Sequence, residues 1–160
     1  MRLRIAAVGR LKTGPERELF ERYLARVNAT GKSVSLAPLE LGEVSESPAR
    51  RPADRMKEEA AGLQKWAITG ARRIILDARG KSLSSEDFAK RLAAFRDQGA
   101  AAATFCIGGA DGLAEEVRKD ADLTLAFGAA TFPHQFVRIL LAEQIYRAVT
   151  ILSGHPYHRA

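Results

Sequence analysis

The sequence contains one cysteine and one tryptophan, and it has no long apolar run. A single thiol excludes an internal disulfide, so nothing indicates an oxidising compartment. No window approaches the roughly 18 apolar residues of a membrane-spanning helix. Residues 1–12 alternate charged and apolar side chains and therefore do not resemble a signal peptide. We expect a cytoplasmic protein in which Cys106, within the apolar run 104–107, is a buried small side chain and not a nucleophile.

The composition is that of a globular chain with a surplus of positive charge. Its 160 residues suffice for one domain, residues 1–160, that buries a core without disulfides or metals. Lys and Arg number 25 against 19 Asp and Glu, which gives a formal net charge of +6. This balance favours an anionic partner such as nucleic acid. Many basic proteins bind no nucleic acid, so the motifs must decide.

Strands alternate with helices along the chain. Alternation of Leu3, Ile5 and Ala7 with more polar neighbours predicts a first strand. Further strands are predicted at 34–41, 73–77, 102–107 and 123–127, and helices at 113–119 and 132–152 as well as after Pro15, around Ala60 and after Ser84. This order predicts an α/β fold with a largely parallel sheet flanked by helices.

Local signals refine these boundaries. Thr13 and Glu16 have the spacing of a capping box, and Ser84 with Asp87 caps a later helix. Pro38 indicates an edge strand or an irregular one. The polar segment 42–52 is rich in Ser and Pro and predicts a mobile loop. The helix that follows it carries a basic face, which is either solvated or an RNA contact: Arg51, Arg55, Lys57 and Lys65.

The last predicted helix is apolar around nearly its whole circumference. A helix of this kind must be buried on all sides, and a small sheet covers only one side. We therefore expect a second copy of the chain to cover the other side in a twofold dimer. Arg138, Glu143 and Arg147 are candidates to pair across that interface. The alternative is a helix buried within one subunit.

Three turns that contain glycine follow three successive strands. The first, residues 77–82, contains Gly-Lys-Ser but is not a P-loop, because Ile75 stands where that pattern requires a glycine. The second, residues 108–112, lacks the dinucleotide spacing, which argues against a dehydrogenase. The third is residues 127–134. Ligands of α/β sheets bind at the carboxyl ends of strands, so the turns should converge there. None offers a basic cluster for a pyrophosphate, which favours a ligand such as adenosine with a sulfonium tail.

The last six residues hold two of the three histidines. A disordered terminus is the ordinary interpretation. However, His155, Tyr157, His158 and Arg159 are types that carry protons, stack on bases and bind phosphates. No carboxylate or thiolate accompanies the histidines, so we predict no metal site. His134, at a helix start, is expected to be structural.

Taken together, these motifs resemble the RlmH family of SPOUT methyltransferases in order, spacing and total length. The matching residues are LD at 76–77, GK at 80–81, SSE at 84–86, FA at 88–89, IGGADG at 107–112, TFPH at 131–134, Arg138, LAEQ at 141–144, YR at 146–147 and HPYHR at 155–159. One departure is Ala160, where the family pattern has an acidic residue. It affects only a terminal contact.

The resemblance implies a fold, a cofactor and a substrate. The fold would be a SPOUT domain with a C-terminal trefoil knot, active as a homodimer. S-adenosylmethionine would be bound in the knot by Leu76, Gly108, Phe127, Gly128, Ala129, Ala130, Thr131 and Phe132. The substrate would be a pseudouridine in 23S ribosomal RNA, methylated at N3 on the assembled ribosome.

The catalytic candidates are the four tail residues His155, Tyr157, His158 and Arg159. Either histidine would remove the N3 proton, the tyrosine would stack on or orient the base, and the arginine would neutralise a phosphate or a developing oxyanion. The tail of one subunit is expected to complete the cofactor site of the other. Two alternatives are a ribosome-binding module without catalysis and a SPOUT methyltransferase that acts on transfer RNA.

Overall fold

Five parallel strands form the centre of the computed structural model, which describes residues 1–159. They are β1 Arg2–Val8, β2 Leu39–Val44, β3 Ala71–Ser82, β4 Ala102–Ile107 and β5 Leu123–Ala126. Their order in the sheet is β2-β1-β4-β3-β5, and every pairing is parallel. The predicted α/β fold with a parallel sheet is confirmed. Ala160 lies outside the described residues.

Helices cover both faces of the sheet. They are α1 Pro15–Thr30, α2 Pro52–Gln64, α3 Ser85–Asp97, α4 Glu115–Lys119 and α5 His134–Ser153. Helices α1, α3 and α5 enclose the larger apolar core, and α2 and α4 enclose a smaller one. Alternate residues of β1 supply both cores: Ile5 faces the larger and Ala6 the smaller. All six residues of β4 are buried, as expected for a central strand covered on both faces.

The second strand begins later than the sequence predicted. Gly31–Val34 is a 3₁₀ turn, and β2 starts only at Leu39. The reason is that Leu36 is fully buried although it lies outside any strand, so its spacing from Val34 imitates strand alternation. Pro38 lies just before β2, which is an edge strand, and its carbonyl accepts a hydrogen bond from the Leu3 amide at 2.8 Å.

Two local predictions need correction, and one is confirmed. Gly14, not Thr13, occupies the N-cap of α1, and no side chain caps that helix. The first three residues of segment 42–52, predicted as a loop, belong to β2. The predicted cap of α3 is present, since the Ser84 hydroxyl accepts a hydrogen bond from the Asp87 amide at 3.1 Å.

Helix α5 is largely buried within its own chain, because α1 and α3 pack on either side of it and the sheet lies beneath. This removes much of the surface on which the dimer was predicted. Arg138 is fully buried and bonds to the carbonyls of Val8 and Gly9, not to a partner. Glu143 and Arg147 pair with each other at 3.0 Å. The predicted interface role of Arg138 is therefore wrong, whereas those of Glu143 and Arg147, and the dimer itself, stay predictions.

An interruption in the pairing of β3 with β5 shapes the edge of the sheet. Both Leu76 and Lys81 pair with Leu125, so residues 77–80 bulge out of register. Gly80 passes close to the neighbouring strand: a Cβ there would lie 2.7 Å from the carbonyl carbon of Leu125. The trefoil knot implied by the resemblance stays a prediction.

Candidate functional site

A cavity of about 550 Å³ lies at the carboxyl edge of the sheet. The bulge after Leu76, the turn after β4 and the segment that joins β5 to α5 all contribute to it, so the three predicted turns do converge. The lining residues are Leu76 to Arg79, Ile107 to Leu113, Leu125 to Gly128, Ala130 to His134 and Val137. Seven of the eight predicted cofactor residues are in this lining. Ala129 is the exception, although it lies within the same segment.

Close backbone contacts give the cavity its shape. Gly108 lies against the far end of its own turn, where an added Cβ would be 2.4 Å from the Gly112 carbonyl oxygen. Gly128 has a φ of +113°, which side chains rarely adopt, and an added Cβ there would meet open space. The two glycines therefore do different things. Gly108 lets the turn close tightly, and Gly128 adopts a backbone conformation beside the cavity that would be strained for any other residue.

The lining carries two carboxylates, each paired with an arginine. Asp77 accepts hydrogen bonds from the Arg79 side chain at 2.8 and 2.9 Å, and these bonds lower the pKa of Asp77 to about 2. Asp111 accepts from Arg55 of α2 at 2.6 and 3.1 Å, which lowers the pKa of Asp111. Both carboxylates are therefore ionised at neutral pH, and the charge of each is balanced by its arginine.

Arg55 fits neither of the interpretations offered for the basic face of α2. Its guanidinium is directed at Asp111 and at the carbonyls of Ala49 and Arg50, at 3.0 and 2.9 Å. Lys57 and Lys65 are exposed. Arg51 pairs with Asp54 at 2.9 Å on the surface. Arg55 and Asp111 are 56 positions apart in the chain, so no local sequence pattern indicates that they pair.

His134 and Arg138, one turn apart on α5, meet the end of β1. A Cβ on Gly9 would lie 3.3 Å from His134 Nε2 and 3.4 Å from Arg138 Nη2. Glu43 joins them, because it accepts from Arg138 at 3.4 Å and from the Leu11 amide at 2.7 Å. Burial lowers the pKa of Arg138. His134 lines the cavity, a position that its place at a helix start did not reveal.

None of the four tail candidates lies in the lining of this cavity. The Tyr157 hydroxyl donates to Glu143 at 3.1 Å, and its ring packs on Tyr146 with the centroids 4.7 Å apart. His158 Nε2 lies 2.7 Å from Glu86, and its Nδ1 lies 3.4 Å from Arg147. The tail thus docks against α5 and the start of α3.

The tail contacts involve the Tyr157 hydroxyl and both ring nitrogens of His158. Burial, together with Tyr23 and Glu143, raises the pKa of Tyr157, which therefore stays protonated and acts as a donor. If Nε2 of His158 donates to Glu86, its Nδ1 accepts from Arg147, so both ring nitrogens are engaged. His155 and Arg159 are exposed, and His155 Nδ1 accepts from the Tyr157 amide at 3.2 Å.

Three other expectations concern the rest of the chain. Cys106 is buried, and burial raises its pKa to about 11, so the thiol is a packing group. Within residues 1–159, no three His, Cys, Asp or Glu side chains come together in a group able to hold a metal ion. None of the helices over the same residues is both long and apolar enough to cross a membrane.

Comparison with known proteins identifies the family. Residues 1–158 match the family model described as predicted SPOUT methyltransferase. Proteins named ribosomal RNA large subunit methyltransferase H are similar over 100% of both chains: 59% identical in Xanthobacter autotrophicus, 54% in Rhodopseudomonas palustris strain HaA2 and 51% in Bradyrhizobium diazoefficiens. The chain therefore belongs to the SPOUT methyltransferases and, within them, to the RlmH family.

Proposed function

We propose that this protein is a single-domain methyltransferase that methylates N3 of a pseudouridine in 23S ribosomal RNA, on the assembled ribosome. The cavity built from three glycine-containing turns carries this proposal, because it lies at the sheet edge where ligands of α/β folds bind. The family supplies the chemistry, and relatives similar over their full length are named for large-subunit ribosomal RNA. The net charge of +6 suits an RNA substrate.

The cavity residues fit S-adenosylmethionine, which supplies an electrophilic methyl group when bound. A volume of about 550 Å³ lies within the range of small-molecule sites. Leu76, Gly108 and the 127–132 segment offer apolar contact and exposed backbone groups. Asp77 and Asp111 are ionised and line the cavity, so each can accept a hydrogen bond from a polar group of the cofactor. No uncompensated arginine stands in the described lining to favour a pyrophosphate instead, since Arg79 is paired.

The reaction requires that N3 lose its proton, and the tail residues are our candidates for this step. Both histidines stay candidates for the base, because Nδ1 of His155 accepts from the Tyr157 amide and both ring nitrogens of His158 also have partners. Tyr157, which stays protonated, would stack on or orient the pseudouridine. Arg159, which is exposed, would neutralise a phosphate or the developing oxyanion. Positioning these groups is the main task of the protein.

Because the tail does not reach the cavity of its own chain, we propose that it completes the cavity of a second copy. An apolar surface beside the cavity supports a dimer: Phe132 is 40% exposed and Phe136 is 50% exposed. Covering a large apolar side chain contributes about 1.5–3 kcal/mol, which favours an interface there. Val137 and Leu140, both half-buried, extend this surface along α5.

Methyl transfer from radiolabelled S-adenosylmethionine tests the proposal directly. Assembled ribosomes, free large subunits and bulk transfer RNA are offered as substrates, and labelled RNA is mapped to the nucleotide. We expect label on a large-subunit pseudouridine and more of it with assembled ribosomes. Label on transfer RNA alone would overturn the substrate. Intact cofactor binding without label on any substrate would favour the ribosome-binding module.

A further inference from the structure

The turn at 108–112 is braced from outside the cavity by a side chain of α2. Arg55 holds Asp111 through two bonds, from Nε at 2.6 Å and from Nη2 at 3.1 Å. Its remaining nitrogen, Nη1, donates to the carbonyls of Ala49 and Arg50. One guanidinium therefore connects two segments that follow different strands: the cavity turn after β4 and the loop 45–51 after β2.

A second α2 residue, one helical turn further on, reaches the same two segments. Glu59 is only 7% exposed, and a Cβ added to Gly109 would lie 3.1 Å from its Oε2. The Glu59 carboxylate also accepts a hydrogen bond from the Ser47 amide at 3.1 Å. Arg55 and Glu59 thus lie on one face of α2. Arg55 bonds to both the turn and the loop, whereas Glu59 bonds to the loop and lies close to Gly109 of the turn.

We propose that Arg55 and Glu59 are positioning residues that hold the 108–112 turn in the shape that binds the methyl donor. The inference rests on the proposed function, since it takes the cavity to be the S-adenosylmethionine site. The turn has little internal support: an isolated bridge joins Gly109 to Gly112, and Gly112 has a φ of +86°. A flexible glycine turn gains its rigidity from outside contacts, and these two side chains provide them.

The geometry requires arginine at position 55. A guanidinium places two donors on one carboxylate while a third nitrogen reaches the loop carbonyls. The ammonium of lysine keeps the charge but cannot make these four contacts together. Arg55→Lys therefore removes the brace and leaves the net charge unchanged.

The affinity for S-adenosylhomocysteine, measured by calorimetry on the full chain, tests the brace. We expect Arg55→Lys to weaken binding about tenfold, equivalent to about 1.4 kcal/mol. The matched control is Arg51→Lys at the start of the same helix, whose side chain is 85% exposed and pairs only with Asp54. The control should bind within about twofold of the unchanged protein.

Kinetics separate positioning from a general loss of stability. We expect Arg55→Lys to raise the KM for S-adenosylmethionine about tenfold and to change kcat at saturating donor by less than about threefold. A fall in kcat with an unchanged KM would overturn the proposal. Melting temperatures of both lysine variants, measured with and without S-adenosylhomocysteine, show whether each is folded under the assay conditions.

A double-mutant cycle identifies the path of the effect. Asp111 lines the cavity, where it is able to contact the ligand directly and not only through Arg55. Asp111→Asn and the double variant are therefore measured as well. If Asp111 acts through Arg55, the double variant binds about as weakly as either single variant. Additive losses would mean that the two residues act separately, which overturns the brace. Asp111→Asn also supplies a second disruption of the pair, so the test does not depend on the folding of one variant.

The result can be distinguished from failure of the proposed function. If the unchanged protein does not bind S-adenosylhomocysteine, the cofactor assignment is wrong. The proposal that Arg55 and Glu59 shape the turn for that cofactor is then wrong as well. If it binds, and Arg55→Lys binds within twofold of it, only the brace is wrong. Neither outcome depends on which RNA is methylated.

Discussion

The cavity edge and the C-terminal tail carry the two halves of the proposed site, and they differ in what holds them. The cavity turns are fixed by the sheet: the parallel strands β3, β4 and β5 end at one edge, so the segments after them must meet. The tail is fixed by side chains, through Tyr157 to Glu143 and His158 to Glu86. The backbone therefore assembles the donor site, and side-chain contacts place the catalytic candidates.

This difference explains why the convergence of the turns could be predicted from the sequence, whereas the contacts that hold the tail could not. Strand order and the carboxyl-end rule bring the turns together whatever their side chains are. No such rule governs a terminus, which takes its position from a few tertiary contacts. The following experiments test each half separately.

The largest effect is expected from Gly108→Ala. The added Cβ would lie 2.4 Å from the Gly112 carbonyl oxygen. The Cβ is attached directly to the backbone and the carbonyl is part of it, so neither can rotate away and the turn must open. A displacement that costs a few kcal/mol would weaken S-adenosylhomocysteine binding about a hundredfold. Calorimetry measures the loss.

The control for this change is Gly99→Ala, outside the cavity lining. Gly99 has a φ of +78° and open space around an added Cβ, so the substitution strains the backbone without touching the site. It should lower the melting temperature and leave binding intact. Equal binding losses in the two variants would mean that Gly108 acts through stability and not through the shape of its turn.

Complementation between disabled chains tests whether the tail serves the other subunit. One variant carries Gly108→Ala, and the other carries His155→Ala with His158→Ala. Each should be nearly inactive alone. If the tail acts across the dimer, a mixed dimer pairs the intact cavity of one chain with the intact tail of the other. Random exchange would then restore about a quarter of the activity, because about half of the dimers are mixed and each has one working site.

Absence of recovered activity would show that the tail serves the cavity of its own chain. If each tail serves its own cavity, every mixed dimer has one fault in each site, and no activity returns. The exchange of subunits is checked by mass spectrometry before the assay, so that absence of recovery is attributable to geometry.

The individual misplacements have physical causes of the same kind. Leu36 imitates a strand because burial alone, without strand geometry, gives the same apolar spacing. Arg138 was assigned to a subunit interface because a charged residue on an apolar helix suggests a partner, and the partners are the carbonyls of Val8 and Gly9. The pairing of Arg55 with Asp111 was missed altogether. In each case the deciding contact is distant in sequence, whereas β4 and the Ser84 cap follow from local pattern and were correct.

Arg138→Met should remove a large fraction of the free energy of unfolding. The change removes the hydrogen bonds to Val8 and Gly9 and leaves Glu43 without its cation. Breaking such a buried pair costs about 3 kcal/mol, or about 6–12 °C in melting temperature. Arg147→Met, which breaks the half-exposed pair with Glu143, should cost about 1 kcal/mol or less. Thermal unfolding compares them, and equal losses would contradict a special role for the buried arginine.

The smallest effect is the acid dependence of the cavity edge. Bonds from Arg79 lower the pKa of Asp77 from about 3.8 to about 2, so folding favours the ionised carboxylate. The stability from this pair is present above about pH 4 and is lost as the pH falls through the folded-state pKa of about 2, below which Asp77 is protonated in both states. The melting temperature of the unchanged protein should therefore fall more steeply between pH 4 and pH 2 than that of Asp77→Asn, whose side chain does not titrate. Parallel curves would mean that exposure of Arg79 to solvent cancels the pairing, and the bulge after Leu76 would then depend on its backbone alone.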